Sequence, residues 1–193
     1  YFGGQEMGNA LVDILTGAED PGGRLPTTWG RSLADVPVTN CTPVNGEVEY
    51  TEGLHIGYRA WVKSGRKPLY SFGYGLSYTT FRNDSIDAPT ALRAGDDLTV
   101  KVTVTNTGKR AGKHVVQVYA SRENTSVERP AIWLAGFTDV RLEAGETRVV
   151  AVEVSGREFA HWDGEWKYES GVFSLQVGSA SDDLTLSAPI SVS

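Results

Sequence analysis

The sequence predicts a mixed fold, in which the end of an α/β unit is followed by an all-β sandwich. Three features lead to this prediction: an amphipathic helix near the start, a long aromatic segment without periodicity, and a series of alternating strands in the second half. The 193 residues, of which 40% are hydrophobic, suffice for one domain and a further piece, or for two small domains.

The helix is predicted over residues 5–16, where apolar side chains recur at helical spacing. They are Met7, Ala10, Leu11, Ile14 and Leu15. Gly17 is a natural stop, because glycine adopts the left-handed conformation without a Cβ clash. Residues 24–29 could form a short edge strand. One helix and one strand cannot bury the apolar face of the helix by themselves, so that face must pack on the sandwich or on sequence upstream of Tyr1. The first residues resemble the interior of a longer protein, and we expect such an upstream segment.

Residues 30–85 lack sustained periodicity, with two exceptions. Residues 54–61 could form an extended strand, and residues 68–81 are dense in aromatic residues and glycine. Loops of this length are uncommon inside a compact domain. We therefore expect a wrapping segment that lies along another surface and buries its aromatic side chains there.

The pattern changes to short alternating strands from about Ile86. Valine or leucine alternates with threonine or lysine over residues 98–105, which indicates a half-buried strand. Further strands are predicted at residues 115–120, 133–137, 148–154, 172–177 and 184–192. This pattern is typical of an immunoglobulin or fibronectin type III sandwich. The predicted division is residues 1–30 for the α/β end, 31–85 for the wrapping segment and 86–193 for the sandwich.

Composition argues against several classes of function. The net charge is −6 and no basic cluster is dense enough for a nucleic-acid footprint. No apolar run approaches a membrane span, so neither nucleic acid nor membrane is an expected partner. The single cysteine, Cys41, permits no internal disulfide and no paired-cysteine zinc site, and it is interpreted as an incidental thiol. No phosphate loop is present, and we expect no cofactor and no metal. Localisation, secreted or cytoplasmic, stays open.

Few residues suggest chemistry. Glu6 lies in the first turn of the predicted helix, where a capping role is favoured. Glu52 lies among aromatic residues and glycine, and a structural salt bridge or backbone hydrogen bond is favoured there. His55, His114 and His161 match no metal-binding spacing and are interpreted as packed or surface residues.

Aromatic rings can stack on sugar faces, and two sets of them are candidates. The candidates are Trp61, Tyr70, Phe72 and Tyr74 in the wrapping segment, and Trp133, Trp162 and Trp166 in the sandwich. The favoured interpretation is that they pack the segment on its neighbour and fill the sandwich core. Glycosylation sequons begin at Asn40, Asn83 and Asn124, and they matter only in a secreted eukaryotic protein.

Several stretches resemble, in order, the C-terminal part of family 3 glycoside hydrolases. Residues 4–17 are GQEMGNALVDILTG, and residues 20–26 are DPGGRLP. Residues 50–59 are YTEGLHIGYR, and residues 68–81 are PLYSFGYGLSYTTF. The sandwich, with VTNTG at 104–108, VQVY at 116–119 and LAGF at 134–137, resembles the fibronectin type III-like domain that ends many of these enzymes.

The resemblance implies a larger enzyme with a TIM-like barrel, an α/β sandwich domain and this C-terminal sandwich. It also implies retaining hydrolysis of a β-glycoside through a glycosyl-enzyme intermediate. The family's aspartate nucleophile lies in the barrel, and in the β-glucosidase branch the glutamate acid/base lies upstream of the helix. We therefore expect no catalytic residue in this chain, and its partners to be the remaining domains of the enzyme and a glycoside substrate.

Two alternatives remain open from the sequence. The chain could be a glycan- or domain-binding β-sandwich module without hydrolase activity. The enzyme could also act on another sugar, such as a β-xyloside, because the sugar-contacting residues are expected outside this chain. The oligomeric state, and whether the missing domains lie on the same chain, stay open as well.

Overall fold

The computed structural model describes residues 3–39 and 41–193. Helix α1 (Met7–Thr16) comes first, and it ends at Gly17, which has a left-handed φ of 76°. The helix and its glycine stop are as the sequence predicted. A second helix, α2 (Tyr58–Ser64), and a 3-10 turn at Leu33–Asp35 lie in the wrapping segment.

Helix α2 overturns the prediction of an extended strand over residues 54–61. The chain turns at Gly57, whose φ is 53°, and Tyr58 begins the helix. Ala60 and Trp61 are buried on its inner side. The β-branched and aromatic residues of this run favour a strand locally, but burial of one helical face decides the conformation instead.

Ten strands follow among the described residues. They are β1 (Phe81–Asp87), β2 (Ala91–Leu92), β3 (Leu98–Asn106), β4 (Gly112–Ser121), β5 (Trp133–Leu142), β6 (Thr147–Val154), β7 (Ala160–Trp162), β8 (Trp166–Tyr168), β9 (Gly171–Ala180) and β10 (Asp183–Val192). All six strands predicted from alternation are confirmed. The sequence did not predict β1, β2, β7 and β8, of which the last three are only two or three residues long.

The strands form two sheets and a separate hairpin. One sheet has the order β1-β3-β6, the other has the order β2-β10-β9-β4-β5, and β7 pairs with β8. Neighbouring strands run antiparallel, except that β10 and β2 are parallel. The mixed fold class predicted from the sequence, with an all-β sandwich at its end, is confirmed.

The core lies between the two sheets. In β3, the side chains of Val100, Val102 and Val104 are fully buried, while Lys101 faces outward. From the opposite sheet, Val116, Val118, Leu175 and Val177 are also fully buried. The period of two thus separates the core face from the outer face, which is what fixes the register of each strand.

The predicted edge strand at residues 24–29 does not form as a strand. The segment is extended, but it pairs only at its two ends. Leu25 N–H donates to Tyr74 O at 2.8 Å, and Trp29 forms an isolated bridge with Tyr70. Pro26 lacks an N–H and interrupts the ladder between these points. The partner of this segment is the aromatic part of the wrapping segment.

Candidate domain interface

Helix α1 presents an apolar face that nothing in the described chain covers. Met7, Leu11, Val12 and Leu15 are all more than half exposed, and Leu15 is 73% exposed. No residue of the helix is buried. Exposed apolar side chains in a row of this kind mark an interaction surface rather than a solvated one. The sequence prediction that this face needs a partner therefore holds, and the sandwich does not supply that partner.

The C-terminal end of α1 is nevertheless fixed to the rest of the chain. Tyr78 Oη donates to Ile14 O at 2.6 Å, and Arg110 Nη2 donates to Gly17 O at 2.6 Å. The Arg110 guanidinium also lies 5.3 Å from the centre of the Tyr78 ring. Ile14 O also accepts from Gly17 N–H at 3.0 Å, so the Tyr78 contact adds a second bond there, while Arg110 satisfies the carbonyl of the residue that ends the helix. The exposed face is thereby held in a defined direction.

Asp20 joins three separate parts of the chain through one carboxylate. Its oxygens accept hydrogen bonds from Ser77 Oγ and Tyr78 N at 2.7 Å each, and from Lys113 N at 3.0 Å. Burial disfavours the charged form, but these hydrogen bonds outweigh it and lower the pKa of Asp20. The sequence alone did not reveal this role of Asp20, since its partners lie 57 or more residues away.

An aromatic groove lies between residues 21–29 and the wrapping segment. Its volume is about 560 Å³, and its walls include Trp29, Tyr70, Tyr74 and Leu76. The Tyr70 and Tyr74 rings are 5.2 Å apart, and Trp29 is 49% exposed. Few polar groups line the groove apart from Arg24. Such a surface suits another apolar surface better than it suits a charged or strongly hydrated ligand.

A cluster of aromatic rings anchors the wrapping segment to the sandwich. Tyr58 stacks on Phe72 at 4.7 Å and meets Tyr119 edge-on at 6.1 Å. Tyr58 Oη accepts a hydrogen bond from Leu134 N at 2.8 Å, and Ser181 N–H donates to Phe72 O at 2.9 Å. For this part of the segment, the favoured interpretation of aromatic packing on a neighbour is confirmed.

Gln117 provides the second anchor, from within β4. Its Nε2 donates to Gly73 O at 3.2 Å and to Ser179 O at 2.6 Å, and its Oε1 accepts from Tyr119 Oη at 2.7 Å. Gln117 is buried, and it stands where alternation alone would expect an outward residue. A glutamine between two valines of a predicted strand is the sequence signal that could have revealed this contact, because a buried amide needs hydrogen-bond partners.

The two glutamates considered for chemistry lie apart from each other. Glu6 takes the N-cap position of α1, but its side chain caps no backbone group, which contradicts the predicted capping role. Its Oε2 accepts instead from Asn9 Nδ2 at 2.6 Å, because the side chain points along the helix. Glu52 accepts from His55 N through its backbone oxygen at 3.0 Å. The part of the chain described here contains no salt bridge to Glu52, so a role for its side chain stays a prediction.

The three histidines are dispersed. His55 Nε2 lies 3.1 Å from Glu128 Oε1, which links the wrapping segment to the loop before β5. His114 is buried and stacks on Phe81 at 4.9 Å, and burial together with the charge of Arg24 lowers its pKa to about 4. His161 lies in β7. Within residues 3–39 and 41–193, no three His, Cys, Asp or Glu side chains are grouped as metal ligands.

The other candidates divide between core and surface. Trp61 and Trp133 are buried, as the packing interpretation predicted. Trp162 and Trp166 lie exposed on the β7–β8 hairpin, so that interpretation is wrong for them. Cys41 is exposed and Asn124 lies in an exposed loop, whereas Asn83 is half-buried in β1. Asn40 lies outside the described residues. No helix in the described part of the chain has the length and apolar character to cross a bilayer.

Two family models match the chain, in the same order as its structural parts. The model of the glycosyl hydrolase family 3 C-terminal domain matches residues 1–78. The model of the fibronectin type III-like domain matches residues 114–181. The chain belongs to glycoside hydrolase family 3. The resemblance seen in the motifs of the sequence is thereby confirmed, and the interface described above lies on the family's C-terminal region.

Curated relatives in family 3 share this region at substantial identity. The chain is 40% identical over 187 residues to a probable β-glucosidase I of Emericella nidulans, with 92% of the chain matched. It is 41% identical over 191 residues to a β-glucosidase of Kluyveromyces marxianus, with 95% matched. The chain spans only 22% of the length of each of these relatives.

Solved structures of the family have the same fold in this region. A β-D-glucoside glucohydrolase of Trichoderma reesei aligns with a TM-score of 0.90 at 30% identity, over 98% of this chain and 29% of that one. DesR, a β-glucosidase of Streptomyces venezuelae solved with D-glucose, aligns with a TM-score of 0.88 at 37% identity, over 95% of this chain and 24% of that one.

Proposed function

We propose that this chain is the C-terminal portion of a retaining, β-glucosidase-like enzyme that hydrolyses terminal β-linked sugars, and that its own role is structural. Relatives named β-glucosidases support this proposal, since the chain matches them over nearly all of its own length. The chain carries no catalytic residue in this proposal. Both carboxylates of a retaining mechanism are supplied by domains outside it.

The observation that carries the structural role is the uncovered apolar face of α1. A helix that exposes Leu11, Leu15 and their neighbours is stable only when another element covers them. The partner proposed is the rest of the α/β sandwich domain, with residues 1–30 completing it. Residues 31–85 then act as the wrapping segment that joins this domain to the sandwich of residues 86–193.

The test compares the 193-residue chain with the full-length protein in an assay of 4-nitrophenyl β-D-glucoside hydrolysis. We expect turnover by the full-length protein and none by the chain alone. Leu11→Asp or Leu15→Asp in the full-length protein should lower activity at least tenfold, because a carboxylate cannot be buried against an apolar partner without a large penalty.

Val149→Asp is the matched control for these variants. Val149 is 60% exposed on β6, outside the helix and the groove, so the same change there should leave activity within twofold. Turnover by the isolated chain would contradict the assignment of catalysis to other domains. Full activity in both helix variants would contradict the proposed interface.

A second candidate function is a glycan-binding module without hydrolase activity. The exposed Trp162 and Trp166 on the β7–β8 hairpin favour it, because indole rings can pack against sugars. A full-length protein that binds oligosaccharides but hydrolyses no aryl glycoside would select this candidate. Hydrolysis of the aryl glucoside would reject it as the main function.

A further inference from the structure

A cleft of about 490 Å³ lies where the wrapping segment meets the β7–β8 hairpin, and we call it the hairpin cleft. Arg59 of helix α2 forms one wall. Arg157 and Glu158, from the 3-10 turn Gly156–Phe159, form another, and Trp166 of β8 closes the side. The volume falls within the range of small-molecule sites.

Three charged side chains of this cleft have unused hydrogen-bonding capacity. Throughout the described chain, the carboxylate of Glu158 and the guanidinium groups of Arg59 and Arg157 form no hydrogen bond and no salt bridge. Burial raises the pKa of Glu158, while the charges of Arg59 and Arg157 act in the opposite direction. Glu158 and Arg59 are half-buried and Arg157 is exposed, so the polar ends of all three side chains face solvent in the cleft and are free for a ligand.

The walls of the cleft are held in position by neighbouring groups. The Arg157 guanidinium lies 4.0 Å from the centre of the Trp166 ring, and the Trp166 ring meets that of Trp162 at 5.3 Å and 72°. Trp133 Nε1 donates to Glu158 O at 2.9 Å, which fixes the turn that carries both charged residues. A site prepared in this way loses less conformational entropy when it binds.

The chemistry of these groups selects the class of ligand. A hydroxyl group both donates and accepts, so neighbouring hydroxyls can satisfy Glu158 as donors and the two arginines as acceptors. The Arg157 guanidinium covers one face of Trp166, so the apolar wall for the C–H face of a sugar ring is the rest of the Trp166 ring together with Leu54. Two carboxylates, Glu128 and Glu158, offset most of the charge of the three arginines that line the cleft, so the cleft does not favour a strongly charged ligand. We infer that the hairpin cleft binds a neutral oligosaccharide.

The test is isothermal titration of the full-length protein with sulfur-linked cellotetraose, which resists hydrolysis. A glucose-like iminosugar is present at saturation to occupy the proposed active site. We expect one tetrasaccharide to bind per chain. Trp166→Ala removes the side wall and Glu158→Gln removes the charge-assisted bonds, so each should raise the Kd at least tenfold.

Lys167→Ala is the matched control, because Lys167 lies on the same hairpin but pairs with Asp163 outside the cleft. It should keep the Kd within twofold of the wild type, and thermal unfolding should show that all three variants are folded. Absence of binding, or an unchanged Kd in Trp166→Ala and Glu158→Gln, would overturn the inference.

Two further measurements separate this inference from related ideas. Tetragalacturonate, an acidic oligosaccharide of the same length, should bind at least tenfold more weakly, and tighter binding of it would overturn the assignment to neutral sugars. Hydrolysis of 4-nitrophenyl β-D-glucoside by the wild type is measured in parallel. Its failure counts against the proposed function, whereas failure of the titration counts against the cleft.

Discussion

His114 shows, at the scale of one residue, how much of its chemistry is set by distant parts of the chain. The alternating pattern of β4 places it in a strand, but its stacking partner Phe81 and the charge of Arg24 come from other segments. The sequence was therefore consistent with either a packed or a surface position for His114. Burial decides between these and keeps the imidazole neutral at physiological pH.

A pH dependence of stability follows from this buried imidazole. Its folded pKa, about 4, lies below the ordinary value of 6.5, so the proton binds more readily to the unfolded chain. The favourable contribution of neutral His114 is complete above pH 6.5 and is lost as the pH falls to about 4, up to about 3 kcal/mol. His114→Gln should therefore flatten the fall in urea stability between pH 7 and pH 4.5.

The control is the same comparison of His114→Gln with the wild type at pH 8, because the wild-type imidazole is neutral there in both the folded and the unfolded state. Any loss of stability at pH 8 measures packing and the contact with Asn83, whose Oδ1 lies 3.3 Å from His114 Nε2. A variant whose stability still declines as steeply as that of the wild type between pH 7 and pH 4.5 would contradict the proposed role.

Single elements were predictable where one residue pattern dominated. Helix α1, its stop at Gly17 and the strand β3 follow directly from periodicity and from glycine's conformational freedom. Helix α2 was not predictable, because seven residues are too short for periodicity and their β-branched and aromatic members favour a strand. Helix α2 forms because Tyr58 and Trp61 pack against distant parts of the chain, which the local sequence does not reveal.

A substitution at Gly73 measures how closely the wrapping segment packs against the sandwich. Its φ of 83° is left-handed, and a Cβ there would collide with the side-chain amide of Gln117. Gly73→Ala should lower the free energy of unfolding by about 1 kcal/mol through backbone strain. It should lower it further because Gln117 must give up hydrogen bonds. Urea unfolding at pH 7 measures the sum.

Gly46→Ala isolates the contact from the backbone strain. Gly46 has nearly the same φ, 84°, but open space where its Cβ would stand. We expect it to show the backbone cost alone, so Gly73→Ala should destabilise by at least twice as much. Equal losses in the two variants would mean that the segment is not tightly seated against Gln117.

At the scale of the whole molecule, the sequence predicted that the apolar face of α1 needs a partner. It did not predict how α1, the wrapping segment and the sandwich are joined. The need of the α1 face for a partner was evident from its apolar spacing, although the sequence left both the sandwich and an upstream segment as candidates. The hub at Asp20 was not evident, since its three partners become neighbours only after the chain has folded. Local sequence patterns predict single helices and strands, whereas polar contacts between distant residues become visible only in the folded structure.

In the proposed function, α1 completes a domain supplied by the rest of a family 3 enzyme. Asp20, Tyr78 and Arg110 hold the helix in one direction, while its apolar face stays uncovered in this chain. In the isolated chain, the helix should open readily, because tertiary packing supplies most of the stability of a short helix. In the full-length protein, burial of that face should stabilise it.

Amide hydrogen exchange of α1, compared between the 193-residue chain and the full-length protein, tests this claim most directly. We expect residues 11–16 to exchange at least 100-fold more slowly in the full-length protein, with β3 and β4 equally protected in both as the internal reference. Equal exchange of α1 in the two proteins would mean that nothing covers its apolar face, and would contradict the account.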